Sequence, residues 1–211
     1  MITDNVSVLY SWGQFAPAIA LVVLAVLILM ADCFTRLPKR VYAIVAAVGA
    51  TIGAYFMNSA PYNSAFGTIA CLATALVLLL AYDYHKVACA SIGGADVEDG
   101  TTELYSLLLI ACAGICSLVK ARDIIMLFVS LEVVTLSSYV MAGYFRRNQG
   151  SIEAGVKYLV LGALSTGLLV FGAAWYYGTT GTFALNSALI ADLFSRQGPE
   201  LLTGFYLSVG L

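Results

Sequence analysis

One carboxylate, Glu132, stands in an apolar run from Ile124 to Gly143 that contains no other charged side chain. In a lipid bilayer a charged group at such a position costs about 3 kcal/mol or more, unless it is protonated, paired or hydrated. Ionisable residues at membrane depth are therefore expected to handle ions or protons. Glu132 is the first residue of this chain to which we assign a chemical role.

A second charged residue, Lys157, lies a little way into the next apolar stretch. The intervening Arg146–Gly150 turn makes the two stretches antiparallel neighbours. At 1.5 Å per residue, Glu132 lies roughly 19 Å and Lys157 roughly 8 Å from the same membrane surface. The pair is therefore expected to be offset, with water or hydroxyl groups bridging it. The hydroxyl groups available for this are those of Ser137, Ser138, Ser165 and Thr166.

The chemistry that suits such a set is proton transfer. Apolar surroundings disfavour the charged form of an acid or a lysine, whereas an opposite charge favours it, so the protonation states become balanced. Two simpler interpretations remain open. Glu132 could pair with a neighbouring helix and only fix assembly. Lys157 could lean toward the nearer surface and pair with Glu153, one helical turn away.

Composition indicates a membrane protein. Hydrophobic residues make up 61% of the chain and charged residues 10%, against about 25% charged in a soluble domain. The net charge of −2 gives no indication of a nucleic-acid partner. No glycine-rich phosphate loop is visible, so no cofactor site is predicted.

The five cysteines show neither CxxC nor Cys/His ligand spacing, so no metal site is predicted. They are Cys33, Cys71, Cys89, Cys112 and Cys116. Most lie in or beside apolar runs, where cysteine usually packs as a small hydrophobe.

The fold class predicted is an all-α, polytopic membrane protein. A span needs about 20 mostly apolar residues, and six segments qualify: 16–35, 41–58, 65–84, 103–121, 124–145 and 152–177. The first half of the chain then consists of an outer amino-terminal segment (1–15), transmembrane helices 1–3 (16–84) and an inner loop (85–102). The second half consists of transmembrane helices 4–6 (103–177), an outer loop with an interfacial helix at Leu185 to Phe194 (178–199), and the start of a seventh helix (200–211).

Orientation follows from the Lys and Arg residues of the short loops. With the amino terminus outside, the inner loops carry Arg36, Lys39, Arg40, Lys86, Arg146 and Arg147, and the outer loops carry Lys120, Arg122 and Arg196. This excess on the inner side predicts an outer amino terminus.

Two tandem motifs within residues 103–183 are specific. The first joins Leu131-Glu132, Leu136-Ser137 and Tyr139-Val140, and the second is Glu153-Ala-Gly-Val-Lys157-Tyr-Leu-Val-Leu-Gly-Ala163. Through them the stretch resembles the second-subunit family of NADH dehydrogenase, antiporter-like membrane subunits of respiratory complex I. The three spans before Glu103 are similar to the longer bacterial and plant form of this family.

The resemblance implies a function and roles for specific residues. The glutamate matching Glu132 pairs with a lysine on a broken seventh helix, and the lysine matching Lys157 is a further intramembrane charge. The chain would act as a subunit of the proton-translocating NADH:ubiquinone reductase without a redox centre of its own. FMN, iron–sulfur clusters and ubiquinone are expected elsewhere in the complex. Other membrane-arm subunits and membrane lipids are the implied partners, in the mitochondrial inner membrane or, alternatively, a bacterial plasma membrane.

The family continues beyond the segment that matches residues 200–211, and that continuation carries the lysine. We therefore expect an amino-terminal part of a split subunit, forming half of an antiporter-like bundle that a second polypeptide completes. A subunit of a cation/proton antiporter is one alternative, and a membrane-arm scaffold that no longer pumps protons is another.

Overall fold

The computed structural model describes residues 15–35, 38–59, 64–92, 101–145 and 149–185, and its regular elements are helices. We label them α1 (Ala16–Phe34), α2 (Lys39–Ser59), α3 (Ala65–Ile92), α4 (Thr101–Val119), α5 (Ile124–Ala142) and α6 (Gln149–Thr180). Five of them have the length and composition of membrane spans, whereas within the described residues α3 offers only a shorter apolar stretch, Ala65–Ala81. The chain is thus an all-helical, multi-pass membrane protein. The start of a seventh helix at 200–211, and the interfacial helix except for Leu185, lie outside the described residues.

Helix α3 is longer than the predicted span. It continues to Ile92, whereas residues 85–102 were expected to form an inner loop. The reason is local, because residues 86–92 are compatible with a helix and the next glycines, Gly93 and Gly94, follow directly. Helix α6 likewise begins before and ends after the predicted 152–177. Helix ends are the part of a sequence-based prediction that periodicity defines least.

The first compact unit, residues 1–120, is a bundle in which α4 contacts α1, α2 and α3. Small side chains line its interior and allow the helices to approach closely. The Gly49-x-x-x-Gly53 motif of α2 faces α1, where Leu24 occupies the space that a Cβ on Gly49 would need and Leu21 would be in ordinary van der Waals contact with a Cβ on Gly53. The buried alanines of this interior are Ala18, Ala25, Ala43, Ala46, Ala47, Ala50, Ala54, Ala75 and Ala113.

The second compact unit, residues 121–211, contains the antiparallel pair α5 and α6. At one end of the pair, a Cβ on Gly155 would lie 2.8 Å from the Cα of Gly143, so the two backbones are nearly in contact. The Ser151 hydroxyl donates a 2.8 Å hydrogen bond to the carbonyl of Ala142, satisfying an acceptor that a helix end leaves free. This end of the pair is therefore held by backbone contact and a cap.

The opposite end of the pair is closed by short backbone pairing. The Ile124 amide donates to the Phe183 carbonyl, and the Leu185 amide donates to the Arg122 carbonyl, both at 2.9 Å. Asp123 forms an antiparallel bridge with Ala184 and also caps α5, since its carboxylate accepts the Met126 amide at 2.6 Å. Closure at both ends fixes the register of α5 against α6.

The close approach at Gly155 yields a stability prediction. Gly155→Ala would place a methyl group against the backbone of Gly143, which cannot rotate away, and we expect about 1–3 kcal/mol of destabilisation. Gly167→Ala, in the same helix, is the matched control, because a Cβ there meets nothing within 4 Å. That control should be neutral or stabilise by up to about 1 kcal/mol. Thermal unfolding in detergent of the protein carrying each variant measures both. Equal losses would contradict the assigned close approach.

Candidate functional site

Glu132 and Thr166 meet at the interface between α5 and α6. The Thr166 hydroxyl donates a 2.7 Å hydrogen bond to Glu132 Oε1, and Glu132 is half-buried. Within the described residues Glu132 has no ion pair. An ionised carboxylate offers about four acceptor positions, so one hydroxyl leaves most of them open. The carboxyl group accordingly has acceptor positions left for a cation or for water.

A tyrosine two turns from Glu132 on α5 and a glycine on α6 form a second contact of this interface. The Tyr139 ring lies across Gly162, where an added Cβ would overlap the phenolic oxygen. Tyr139 also packs edge-on against Tyr158, with ring centroids 4.9 Å apart. Gly162 thus makes the space in which the Tyr139 hydroxyl sits, one helical turn from Thr166. Sequence reasoning singled out neither residue as part of the site, although a glycine in the middle of a long helix is a signal for close packing.

Lys157 is placed away from Glu132. Its ammonium group lies 2.5 Å from Glu153 Oε1, and the two side chains are 70% and 65% exposed. This is the i,i+4 pairing that the sequence left open as an alternative. Thr166, which contacts Glu132, is nine residues from Lys157, or about 13 Å along the helix axis. The structure therefore brings Glu132 together with Thr166 and does not join it to Lys157.

The other three predicted hydroxyls are turned toward their own helices. Ser137 donates to the Val133 carbonyl, Ser138 to the Val134 carbonyl and Ser165 to the Leu161 carbonyl, at 2.8, 2.9 and 3.1 Å. Such bonds are usual for hydroxyls inside helices. Among the four hydroxyls, only Thr166 contacts Glu132 in this arrangement. A role for the other three would require rotation of their side chains.

Two polar features elsewhere were missed by the sequence reasoning. Lys120, counted as a loop charge, is only 8% exposed directly after the end of α4. In the first unit, three buried cysteines, Cys71, Cys112 and Cys116, have sulfur atoms within 4.8 Å of one another. Their positions in the sequence gave no indication of this, because Cys71 is on α3 and the other two are on α4.

The contact between Thr166 and Glu132 yields a spectroscopic prediction. Thr166→Val removes the donor while nearly preserving the shape of the side chain, so the carboxyl group loses one hydrogen bond. Hydrogen bonds to charged groups contribute about 1.5–3 kcal/mol. Infrared difference spectra should show a shift of the carboxyl band that Glu132→Gln abolishes. Thr166→Ser, which keeps the hydroxyl, should leave the band in place. A band that is identical in all Thr166 variants would exclude the contact.

Comparison with known proteins gives matches that include both Glu132 and Thr166. Residues 121–211 match the family described as NADH:quinone oxidoreductase/Mrp antiporter, transmembrane. The chain is similar to subunit N 1 of the NADH-quinone oxidoreductase of Solibacter usitatus, with 32% identity over 200 residues, covering 87% of this chain and 39% of that protein. It is also 32% identical over 215 residues to subunit N of Myxococcus xanthus, covering 92% of this chain and 39% of that protein.

A solved structure supports the fold. It is the membrane-bound sulfane sulfur reductase, an archaeal respiratory membrane complex, and one of its chains matches with a TM-score of 0.63 and 22% identity. The match covers 93% of this chain and 42% of that one. The chain thus spans about two-fifths of the length of the relatives and the solved chain that it matches.

Proposed function

We propose that this chain is part of a proton-translocating membrane-arm subunit of an NADH-quinone oxidoreductase. Two comparisons support the proposal: residues 121–211 match the NADH:quinone oxidoreductase/Mrp antiporter transmembrane family, and the chain is similar to N subunits of NADH-quinone oxidoreductases. The single observation that carries the proposal is Glu132, a carboxylate in the middle of a spanning helix, hydrogen-bonded to Thr166 of the antiparallel partner helix. Glu132 and Lys157, the two residues proposed to handle protons, both fall in the region that matches the family.

In this proposal Glu132 takes up and releases the proton. In general, apolar surroundings favour the neutral form of a carboxyl group and a nearby cation favours its charged form, so movement of a cation can drive both steps. Thr166 orients the carboxyl group, and Tyr139 and Gly162 fix the register in which the contact forms. Lys157 is too far away to exchange a proton directly. Its contribution would be a charge at another depth, linked to Glu132 by a chain of several water molecules.

We propose that the positive charge that pairs with Glu132 lies in the part of the helix bundle that the relatives contain beyond the segment matched by this chain. In the family that the sequence resembles, a lysine on a broken seventh helix has this role. We propose that this lysine approaches the open side of the Glu132 carboxyl group, and that it belongs to a second polypeptide. Purification under mild conditions should then recover a second chain that cross-links to this one near residue 132. Recovery of both parts in one continuous polypeptide would overturn the split-subunit proposal and leave the role of Glu132 intact.

The redox chemistry is proposed to lie outside this chain. FMN, iron–sulfur clusters and ubiquinone would be bound by other subunits, and the coupling would reach Glu132 through the membrane arm. The membrane is proposed to be the mitochondrial inner membrane. A bacterial plasma membrane is the alternative, and the bacterial origin of the relatives named above favours it.

A charge-neutral substitution tests the role of Glu132. Glu132→Gln keeps the size of the side chain and its ability to bond Thr166 but cannot release a proton, so proton translocation should fall at least about tenfold. Oxidation of NADH by an artificial acceptor should be unchanged, because that reaction does not use the membrane arm. Glu103→Gln, at an exposed acid in the first turn of α4, is the matched control and should translocate protons normally. Full translocation by Glu132→Gln would remove Glu132 from the mechanism.

One alternative is supported by the family description, which includes Mrp antiporters. In that case the same carboxyl group would exchange protons for metal cations and no quinone-reducing partner would be present. Co-purification with flavin- and iron–sulfur-containing subunits would exclude it. Sodium-dependent proton flux in vesicles, without any redox substrate, would support it.

A further inference from the structure

The hydroxyl of Tyr139 lies in the interface between α5 and α6. The side chain is only 9% exposed, and its hydroxyl forms no hydrogen bond to any residue that the structure describes. Burying a hydroxyl without a partner is destabilising, so buried hydroxyls are hydrogen-bonded to protein or to ordered water. The Tyr139 hydroxyl is therefore expected to bond to a group or a water molecule beside it.

Two contacts fix the position of this hydroxyl. The Tyr139 ring packs edge-on against Tyr158, with ring centroids 4.9 Å apart and the ring planes at 90°. Its oxygen occupies the position that a Cβ on Gly162 would take. A tyrosine side chain has only two torsion angles, so these contacts leave the hydroxyl little freedom.

Thr166 is within reach of this hydroxyl through one water molecule. It lies one helical turn beyond Gly162 on the same face of α6. Because Cβ positions four residues apart on a helix are separated by about 5–6 Å, the Tyr139 oxygen lies about that far from the Cβ of Thr166. Two hydrogen bonds of about 2.8 Å in series span up to about 5.5 Å. One bridging water therefore fits between the two hydroxyls.

The hydrogen bonds of Thr166 have a fixed direction when Glu132 is ionised. A hydroxyl donates one hydrogen bond and accepts up to two, and Thr166 donates its own to Glu132 Oε1 at 2.7 Å. Toward Tyr139 it can therefore only accept. Tyr139 has its proton to donate, because no described residue accepts it. All the donors in the series then point toward the carboxylate.

We propose that Tyr139 is a proton-relay residue for Glu132, acting through one bridging water and Thr166. The proposal rests on the proposed role of Glu132 in proton translocation. Tyr139 gives its proton to the water, the water gives one to Thr166, and Thr166 gives its own to the Glu132 carboxylate. A proton that water delivers to the Tyr139 oxygen replaces the one lost. At each relay oxygen one O–H bond breaks and one forms, so no relay group keeps a charge and no electrons are transferred.

The relay extends the proton route toward the depth of Lys157. Gly162, which the Tyr139 oxygen contacts, lies four residues from Thr166 and five from Lys157. These separations correspond to about 6 and 7.5 Å along α6. Tyr139 thus divides the offset between Glu132 and Lys157 into two shorter parts, each of which fewer water molecules have to bridge.

Proton translocation by the intact complex tests the relay. Tyr139→Phe keeps the ring and its contacts but removes the hydroxyl, so translocation should fall about two- to tenfold, the effect of losing one hydrogen-bonded link. Tyr158→Phe is the matched control, because the partner ring is 46% exposed, and it should translocate protons normally. Since Tyr139 acts through Thr166, Tyr139→Phe should add no further loss to Thr166→Val. Full translocation by Tyr139→Phe, or a loss that multiplies with that of Thr166→Val, would overturn the relay.

Infrared difference spectra between the two protonation states of Glu132 provide a readout that a packing role would not change. The wild type should show a tyrosine band that Tyr139→Phe removes and that Thr166→Val also removes. A wild-type spectrum without such a band would refute the relay.

Glu132→Gln separates failure of the relay from failure of the proposed function. Impaired translocation in Glu132→Gln together with full translocation in Tyr139→Phe would exclude only the relay. Full translocation in both variants would overturn the proposed function as well.

Discussion

The register between α5 and α6 is the constraint on which the second unit depends. Thr166 reaches Glu132 only because Gly155 contacts Gly143 and Gly162 makes room for Tyr139 further along the same interface. As an antiparallel pair requires, the contacting residue numbers fall along α5 while they rise along α6, from Gly143–Gly155 through Tyr139–Gly162 to Glu132–Thr166. A shift of one residue would rotate Thr166 by about 100° around α6. Either Ser165 or Gly167 would then take its place, so packing at the glycines decides which hydroxyl, if any, Glu132 accepts from.

Electrostatics explains why this pair of helices is incomplete as a site. One neutral hydroxyl stabilises a carboxylate by only a few kcal/mol, and in an apolar medium the desolvation of that charge costs more. Most of α6 is also exposed, with Gly172, Tyr176 and Thr180 as its buried residues within the described part of the chain. Exposed apolar helix surface in a membrane protein is covered by lipid or by further helices. A helix that brings a cation to this surface would satisfy both needs together.

Hydropathy predicts an all-helical, multi-pass membrane protein, which the structure confirms within its described residues. The rarity of charge in a bilayer singles out Glu132, whose role stays a prediction. It distinguishes Thr166 from Ser165 poorly, because the two are adjacent and only the helix register decides which of them faces α5. Lys157 could not be assigned either, since Glu153 is one turn away and Glu132 is on another helix. The cysteine cluster was invisible for a different reason. Its members lie on two helices, and spacing along one chain does not show which residues meet across an interface.

Lys157 lies nine residues, or about 13 Å along α6, from Thr166, the residue that contacts Glu132, and this offset limits what Lys157 and Glu132 can do together. Two unit charges about 13 Å apart interact by about 1 kcal/mol at an effective dielectric constant of 20, and by about 0.3 kcal/mol in water. Such a coupling changes the balance between protonation states less than tenfold. An interaction of this size is smaller than the cost of desolvating a carboxylate, so Lys157 alone cannot keep such a group ionised. In the proposed mechanism the counter-ion therefore has to approach the carboxyl group directly, from the side that does not accept the Thr166 hydrogen bond.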